Sequence, residues 1–325
     1  MTESNHRTIY ETPGGKAGKR PRREQKTAGK HKAWNKLSRI ERHAKWGSVP
    51  FLIPSVLGAM LFFFVPFMVV IYYAGVDNPI SKNFVGLENF KMVIGNNAFR
   101  MAVRNTAVFS ALAVPAAVAL SLLLAVALDL KIPFRTQFRT FFLSPMMVPV
   151  ASVVLIWQVL FDYNGAVNEF LARFGADKID WLKSDKAIAV VVVLFLWKNL
   201  GYNMILFLAA LSSVPKDILE VLELEGAGPF TVFFRIKLRY LSSTIVFVTI
   251  MSLINSFKIF REVYLLTTDY PYEKIYMLQH FMNNKFRSLD YQTLSAAAVL
   301  MSLVMVVIIL LLFVLDNHFG KDLEG

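Results

Sequence analysis

LSSVPKDILEVLELEGAGPFTVFFRIKL, residues 211–238, is a charged segment set between two long apolar runs. Pro215 marks a turn that starts a predicted short helix over residues 216–225. The polar side of that helix is acidic and consists of Asp217, Glu220, Glu223 and Glu225. Gly226, Ala227, Gly228 and Pro229 then break the helix. An acidic amphipathic helix followed by a glycine hinge predicts a surface that docks onto another protein.

The apolar runs on either side predict an integral membrane protein. Hydrophobic residues make up 55% of the 325 residues, and the mean hydropathy is +0.48. Runs of about twenty residues or more are long enough to cross a hydrocarbon core of about 30 Å, and continuous runs of this length favour helices over barrel strands. The predicted fold class is therefore all-α, a polytopic membrane protein with six transmembrane helices. The predicted spans are Val49–Ala74, Thr106–Leu130, Phe138–Phe161, Ala187–Leu211, Leu241–Leu266 and Leu294–Leu315.

Basic residues set the expected orientation and domain boundaries. Residues 1–48 hold 13 Lys and Arg against 4 acidic residues. The difference, 13 − 4 = +9, is most of the chain's net charge of +12. The positive-inside rule then places both termini and the loop 212–239 in the cytoplasm. We expect a cytoplasmic tail (residues 1–48), a transmembrane domain (residues 49–316) and a short cytoplasmic C-terminal tail (residues 317–325).

The basic N-terminal tail favours a lipid surface over nucleic acid, because its charge is concentrated just before a span. Apolar side chains recur in it at helical spacing, namely Trp34, Leu37, Ile40 and Ala44, with basic residues between them. This pattern predicts an interfacial amphipathic helix, with a regulatory contact as the alternative.

Residues 211–238 resemble the cytoplasmic "EAA" loop of permease subunits in binding-protein-dependent ABC importers. The positions that match the family pattern are Leu211, Val214, Pro215, Ile218, Glu220, Gly226, Ala227, Ile236 and Leu238. Val221 and Leu222 replace the two alanines of the pattern, Glu225 replaces its aspartate, and Arg239 its closing proline. Phe84–Phe90, FVGLENF, is similar to a stretch that precedes the core spans of sugar-type permeases, and the overall likeness extends to the maltose importer's pore subunit.

The resemblance implies a type I importer permease with a defined set of partners. These are a second homologous permease, two cytoplasmic ATPases and an extracytoplasmic solute-binding protein. It implies that Pro215, Glu220, Gly226 and Ala227 couple this chain to the ATPases. ATP and Mg would be used by the partner ATPase and no cofactor by this chain, which has no P-loop motif and no cysteine. Its five histidines show no metal-ligand spacing, so neither a metal site nor a catalytic residue is expected.

Polar residues inside the fourth and fifth spans are the candidate substrate-binding residues, since such groups are costly in lipid unless they face a cavity or a partner helix. They are Trp197, Asn199, Tyr202, Ser252, Asn255 and Ser256. Aromatic rings stack on sugar C–H faces, and amides and hydroxyls bind sugar hydroxyls. Trp197, Tyr202 and Ser252 match pocket positions of the maltose importer's pore subunit. The alternative is hydrogen bonding between helices.

Four charged residues of these spans leave two interpretations open. They are Lys198, Lys258, Arg261 and Glu262. They could lie at the ends of their spans and reach the membrane surface, with Arg261 and Glu262 paired to each other. If the lysines instead face the cavity, an acidic sugar becomes plausible. The expected function is import of a sugar or oligosaccharide by alternating access; the alternatives are import of a polyol, glycerol phosphate, peptide or acidic sugar, and secondary transport without an ATPase.

Overall fold

The computed structural model describes residues 49–78, 80–130 and 133–320. The tail predicted to hold an interfacial helix lies outside these residues. The chain divides into two compact units, residues 1–67 and 68–325. In the first unit, helix α1 (Val49–Ala59) continues through a π-helical turn (Met60–Phe64) into helix α2 (Val65–Ala74), which ends in the second unit.

The rest of the second unit is helical in all its regular secondary structure over the described residues. Its α-helices are α3 (Glu88–Gly95), α4 (Asn97–Asp129), α5 (Arg135–Met147), α6 (Val150–Leu160), α7 (Ala166–Ala172), α8 (Ala187–Ser212), α9 (Lys216–Leu224), α10 (Pro229–Val232), α11 (Leu238–Tyr240), α12 (Ser242–Phe257), α13 (Phe260–Thr267), α14 (Leu278–Arg287) and α15 (Tyr291–Gly320). A π-helical segment (Phe233–Lys237) joins α10 to α11, and a 3-10 turn (Glu273–Ile275) precedes α14.

The predicted membrane spans agree with the helices in number when one bent pair is counted as a single span. Among the described residues, five helical segments are long and apolar enough to cross a membrane, and α5 with α6 forms a sixth, bent candidate. Helix α4 begins at Asn97, more than two turns before the predicted Thr106, because the Asn96 side chain caps it by accepting from Ala98 and Phe99.

The predicted third span, Phe138–Phe161, corresponds to the bent pair of helices α5 and α6. The structure breaks it between α5 and α6, whose axes differ by 99°. Pro149 follows Val148, which has an extended backbone with ψ of 132°. A proline disfavours the α conformation at the preceding residue and cannot donate a helical hydrogen bond, so the helix ends there. This signal was present in the sequence but was outweighed by the apolar run.

Helices α4 and α8 pack against each other at the centre of the second unit, and α5 and α12 pack on them. The approach of α5 to α8 is close at Gly201, where an added Cβ would overlap the backbone carbonyl of Phe142. Helix α12 is tied to both central helices by buried hydrogen bonds. Asn203 donates to Ser252 at 2.9 Å, and the hydroxyls of Ser110 and Ser256 lie 2.8 Å apart. Such polar contacts are typical of packing between membrane helices.

The segment between α13 and α15 folds back onto α4 through buried polar contacts. Asn105 donates from Nδ2 to the carbonyl of Tyr276 at 3.0 Å, and Thr106 Oγ1 accepts the backbone N–H of Leu278 at 2.9 Å. His280 is fully buried there, its Nδ1 accepting the backbone N–H of Met277 at 3.2 Å. Its ring lies edge-on to Phe260. These contacts place α14 beside the membrane helices.

Burial of His280 predicts a loss of stability in acid. Desolvation lowers the pKa of His280 from 6.5 to about 4, against a smaller opposing effect of the Asp269 carboxylate. The neutral ring is favoured in the folded state, so stability is complete above about pH 6.5 and falls as the pH drops towards 4, by about 3 kcal/mol at most. We expect the melting temperature of the protein to fall more steeply between pH 7.5 and 4.5 than that of His280→Gln, which does not titrate. If the melting temperatures of the two proteins fall in parallel with pH, His280 is not the cause of the loss of stability in acid.

Candidate functional site

A cavity of about 670 Å³ lies among α8, α12 and α13 in the second unit. Its lining residues are Met146, Phe195, Lys198, Asn199, Tyr202, Met251, Asn255, Lys258, Ile259, Arg261, Glu262 and Gln279. Three members of the predicted substrate set, Asn199, Tyr202 and Asn255, are thus brought together around one space. The cavity has the size typical of a pocket for a small ligand.

Helical periodicity explains which residues reach the cavity. On α8, Phe195, Asn199 and Tyr202 recur at intervals of four and three residues and so share one face of the helix. On α12, Met251 and Asn255 follow the same rule, whereas Glu262 belongs to α13, beyond the interruption at Lys258 and Ile259. One face of α8 and one face of α12 therefore supply five of the twelve lining residues.

The cavity is lined by more positive than negative charge. Lys198 on α8 forms an ion pair with Glu262 on α13, whose side chain is only 6% exposed. Glu262 therefore does not pair with the neighbouring Arg261, as one interpretation of the sequence had it. Within the described part of the chain, neither Lys258 nor Arg261 has a carboxylate partner. Two cations beside one neutralised pair favour an anionic ligand.

Neutral polar groups add hydrogen-bonding capacity to this charged lining. Asn255 donates from Nδ2 to Oδ1 of Asn199 at 3.1 Å, and Asn199 donates to the carbonyl of Phe195 at 2.8 Å. The two amides are held in place, and the side-chain oxygen Oδ1 of Asn255 accepts no hydrogen bond from the described residues. Nor does the Tyr202 hydroxyl bond to any described residue, so both groups are available to a solute.

The other three predicted substrate residues lie outside the cavity lining. Ser252 and Ser256 are buried between helices, where Asn203 and Ser110 occupy their hydroxyls, an arrangement that favours the packing alternative. Trp197 is 37% exposed on another face of α8, with its ring centroid 5.7 Å from that of Trp157. Their contribution to solute binding remains a prediction.

Met146, Met251 and Gln279 line the cavity but were missed by sequence reasoning. The two methionines are ordinary apolar residues in apolar runs and carry no sequence signal. Gln279 belongs to α14, outside every predicted span, and reaches the cavity only because α14 folds back onto the membrane helices. By contrast, lysine and arginine inside the apolar runs gave a usable signal.

The loop 212–239 forms the amphipathic helix that was predicted. Helix α9 ends in a Schellman motif, because Ala227 donates its N–H to the Leu222 carbonyl at 2.9 Å and Gly226 donates to Glu223 at 3.1 Å. Gly226 has a φ of +73°, a conformation that a residue with a side chain adopts at a cost. Glycine is therefore needed at the hinge.

One side of this loop is anchored and the other is exposed. Val214 is buried, and Leu219 packs against the same core cluster, which fixes α9 to the end of α8. Pro215 and Glu220 are exposed, while Ala227 is half-buried. Large apolar side chains also project outwards, namely Leu224 (88% exposed), Phe230 (78%) and Phe234 (61%). Exposed apolar groups beside acidic ones are characteristic of a protein contact surface.

An ion pair joins the loop to α4. Lys237 Nζ lies 2.8 Å from Oδ2 of Asp129, the last residue of α4, and both side chains are largely buried. This ion pair connects the loop to one of the two central helices. The geometry defines a helical membrane protein with a charged central cavity and a loop presented for a partner.

Two solved structures share this fold. A chain of a bacterial alginate ABC transporter, crystallised in complex with an alginate pentasaccharide-bound periplasmic protein, superimposes with a TM-score of 0.75 at 21% identity, over 87% of this chain and 98% of that one. A second structure, of a bacterial ABC transporter involved in import of the acidic polysaccharide alginate, gives a TM-score of 0.73 over 90% of this chain and 100% of that one, again at 21% identity. These likenesses establish the fold.

The family follows from sequence. Residues 117–325 match the model of the binding-protein-dependent transport system inner membrane component, and the chain belongs to that family. The sn-glycerol-3-phosphate transport system permease protein UgpA of Pectobacterium atrosepticum is 28% identical over 82% of this chain and 93% of that protein. The arabinooligosaccharides transport system permease protein AraP of Halalkalibacterium halodurans is 30% identical over 57% of this chain and 59% of that protein. The protein is thus an inner-membrane, multi-pass permease component of an ABC importer, which works with an ATPase subunit and a solute-binding protein.

Proposed function

We propose that this permease component moves an anionic solute of the sugar or sugar-phosphate class through the cavity among α8, α12 and α13. The observation that carries the proposal is the pair of cations, Lys258 and Arg261, that face the cavity without a carboxylate partner among the described residues. A phosphate or carboxylate bound there would satisfy both, and a bidentate guanidinium contact suits either anion.

The remaining lining suits the hydroxyl-bearing part of such a solute. The Tyr202 hydroxyl and the amide pair Asn199–Asn255 provide donors and acceptors beside the charges. Similarity to the glycerol-3-phosphate permease protein of Pectobacterium atrosepticum supports the same class of solute. The solute would therefore bind with its anionic end at α13 and its hydroxyls at α8.

A neutral oligosaccharide is the second candidate. The similarity to the arabinooligosaccharide permease protein supports it, as does the half of the cavity lined by amides and a tyrosine. In that case Lys258 and Arg261 would bind water, or hydroxyls, and their charge would contribute little to affinity.

The proposed mechanism is alternating access in a complex of two homologous permeases, two cytoplasmic ATPases and an extracytoplasmic solute-binding protein. With both termini in the cytoplasm, the loop 212–239 faces the ATPases, which use ATP and Mg, while this chain uses no cofactor. Closure of the ATPases would displace α9, and the Lys237–Asp129 ion pair would pass the displacement to α4. Pro215, Glu220, Gly226 and Ala227 would form the coupling surface.

Solute-stimulated ATPase activity of the purified complex in lipid, with its solute-binding protein, tests the proposed solute. We expect stimulation by an anionic member of a panel of neutral sugars, acidic sugars and polyol phosphates. In Lys258→Gln/Arg261→Gln the solute concentration for half-maximal stimulation should rise at least about tenfold, since two charge contacts are lost. Arg173→Gln, which removes an exposed arginine outside the cavity, is the matched control. Stimulation by a neutral sugar that the double substitution leaves unchanged would establish the second candidate instead.

The hinge of the loop gives a separate prediction. Gly226→Val places a β-branched residue at a φ of +73°, at a cost of about 1–2 kcal/mol, so the end of α9 is expected to rearrange. The complex should still assemble, because the membrane helices are untouched, but solute should stimulate ATP hydrolysis several-fold less. Gly228→Ala is the control, since Gly228 has a φ of −67° and open space around it. Equal coupling in the two variants would show that the Gly226 conformation is not needed.

A further inference from the structure

A second cavity of about 520 Å³ is a groove between α4, α12 and α15. Its walls are almost entirely apolar. Helix α4 contributes Phe99, Val103, Ala107, Ala111 and Val114, and α15 contributes Leu300, Met301, Val304, Ile308 and Leu312. The solute cavity shares none of these residues, so the groove is a separate feature of the fold.

The few polar groups in the groove are already satisfied. Thr106 donates to the Ala102 carbonyl at 2.8 Å, Thr249 donates to the Ile245 carbonyl at 2.7 Å, and Ser110 bonds to Ser256. None of these hydroxyls needs a polar ligand. The groove therefore suits hydrocarbon.

Two arginines stand at one end of the groove. Arg100 and Arg104 line a smaller adjoining cavity together with three groove residues, Ile94, Phe99 and Val103. They are four residues apart on α4, in line with Ala107 and Ala111. Arg100 Nε donates to the Ile94 carbonyl at 2.7 Å, which holds that side chain over the groove entrance. Neither arginine pairs with a carboxylate anywhere in residues 49–78, 80–130 and 133–320.

The position of the arginines along α4 corresponds to the headgroup region of a bilayer. The apolar run of this span begins at Thr106, so Arg104 and Arg100 lie about 3 and 9 Å beyond it along the helix axis. Phosphates of lipids occupy this level, just outside the hydrocarbon core. A bound anion there would meet two guanidinium groups.

The length of the groove matches one leaflet. From Leu300 to Leu312 on α15 it extends over about 18 Å, close to half of a hydrocarbon core of about 30 Å. A transmembrane helix from another subunit would cross both leaflets and has no requirement for paired arginines at one end. An acyl chain with an anionic headgroup fits both the length and the charge.

We propose that this groove is a binding site for an anionic phospholipid. One acyl chain lies along α4, α12 and α15, and Arg100 and Arg104 bind the lipid phosphate. The site is made by this chain alone and is independent of which solute the importer carries.

Photolabelling tests the proposal on the whole importer complex in nanodiscs. The probes are phosphatidylglycerol and phosphatidylcholine with a photoactivatable diazirine in the acyl chain, and labelled residues are mapped by mass spectrometry. We expect phosphatidylglycerol to label groove residues such as Val103, Ala107 and Val304, and phosphatidylcholine to label them several-fold less. Arg100→Gln/Arg104→Gln should reduce labelling by phosphatidylglycerol about tenfold, because each arginine contact with an anionic lipid contributes to the free energy of lipid binding.

Two further variants keep the test decisive. Ala107→Phe fills the groove from an exposed position and should abolish labelling of Val304 by either probe. Arg173→Gln, outside the groove, should leave labelling unchanged. Equal labelling by the two lipids would overturn the headgroup assignment. Unlabelled groove residues would overturn the lipid site. Crosslinks from a cysteine placed at Val304 to a partner permease would show that a protein helix occupies the groove instead, and the chain has no native cysteine to confuse this experiment.

Discussion

Gly201→Ala is expected to lower the melting temperature of the permease by on the order of 10 °C. The added Cβ would overlap backbone atoms of Phe142 and Leu143 on α5, and backbone cannot move aside as a side chain tip can. Helices α5 and α8 must then separate, which costs about 3 kcal/mol in a packed interior. Thermal unfolding of the purified protein in detergent, followed by fluorescence, measures the shift.

Gly95→Ala is the matched control for this change. Gly95 ends α3, and an added Cβ there meets no atom within 4 Å, so its melting temperature should stay close to that of the parent protein. If Gly201→Ala and the control have the same melting temperature, α5 and α8 are not in backbone contact. The same result would question the bend between α5 and α6, because the bend sets the position of α5.

Lys198→Met is expected to destabilise the fold by about 3 kcal/mol, since it leaves the buried Glu262 carboxylate without its partner. The double variant Lys198→Met/Glu262→Leu removes both charges, and we expect it to recover most of the lost stability. Melting temperatures of the three variants, including Glu262→Leu alone, give the coupling between the two residues.

Lys91→Met provides the comparison for an exposed ion pair. Lys91 and Glu88 pair at 2.8 Å on the surface of α3, with most of both side chains in solvent, so the melting temperature should not change. If Lys198→Met also leaves the melting temperature unchanged, Glu262 must be hydrated in the cavity, and the ion pair would have no structural role.

Much of the fold could be predicted from the sequence, because the bilayer imposes strong rules on length and hydropathy. Those rules located the long helices, and the turn chemistry of Pro215 and Gly226 located α9 to within a residue. The break at Pro149 was missed because a hydropathy window averages over a single backbone constraint. The early start of α4 depends on a side-chain cap at Asn96, which lies in a polar stretch that hydropathy ignores.

The candidate site was harder to predict than the helices. Lys198 and Tyr202 are four residues apart on α8 and line the same cavity, as the helical period requires. Ser252 and Ser256 have the same sequence signal as Asn255, yet the first two face neighbouring helices. The direction of each side chain depends on how α12 is rotated against α4 and α8, and a single sequence carries no information on that rotation.

The fifth span is interrupted at Lys258 and Ile259, between α12 and α13. This interruption affects how the solute preference of the permease can change in evolution. Helix α12 packs on α4, α8 and α15, whereas α13 packs on α6 and α14. The charged cavity residues Arg261 and Glu262 belong to α13, and the hydrogen-bonded serines that hold the bundle together belong to α12. Substitution of Arg261 alone can therefore lower the positive charge offered to a solute while the packing of the bundle is preserved. Transporters built on this scaffold could therefore change the solute that they prefer through substitutions in one short helix.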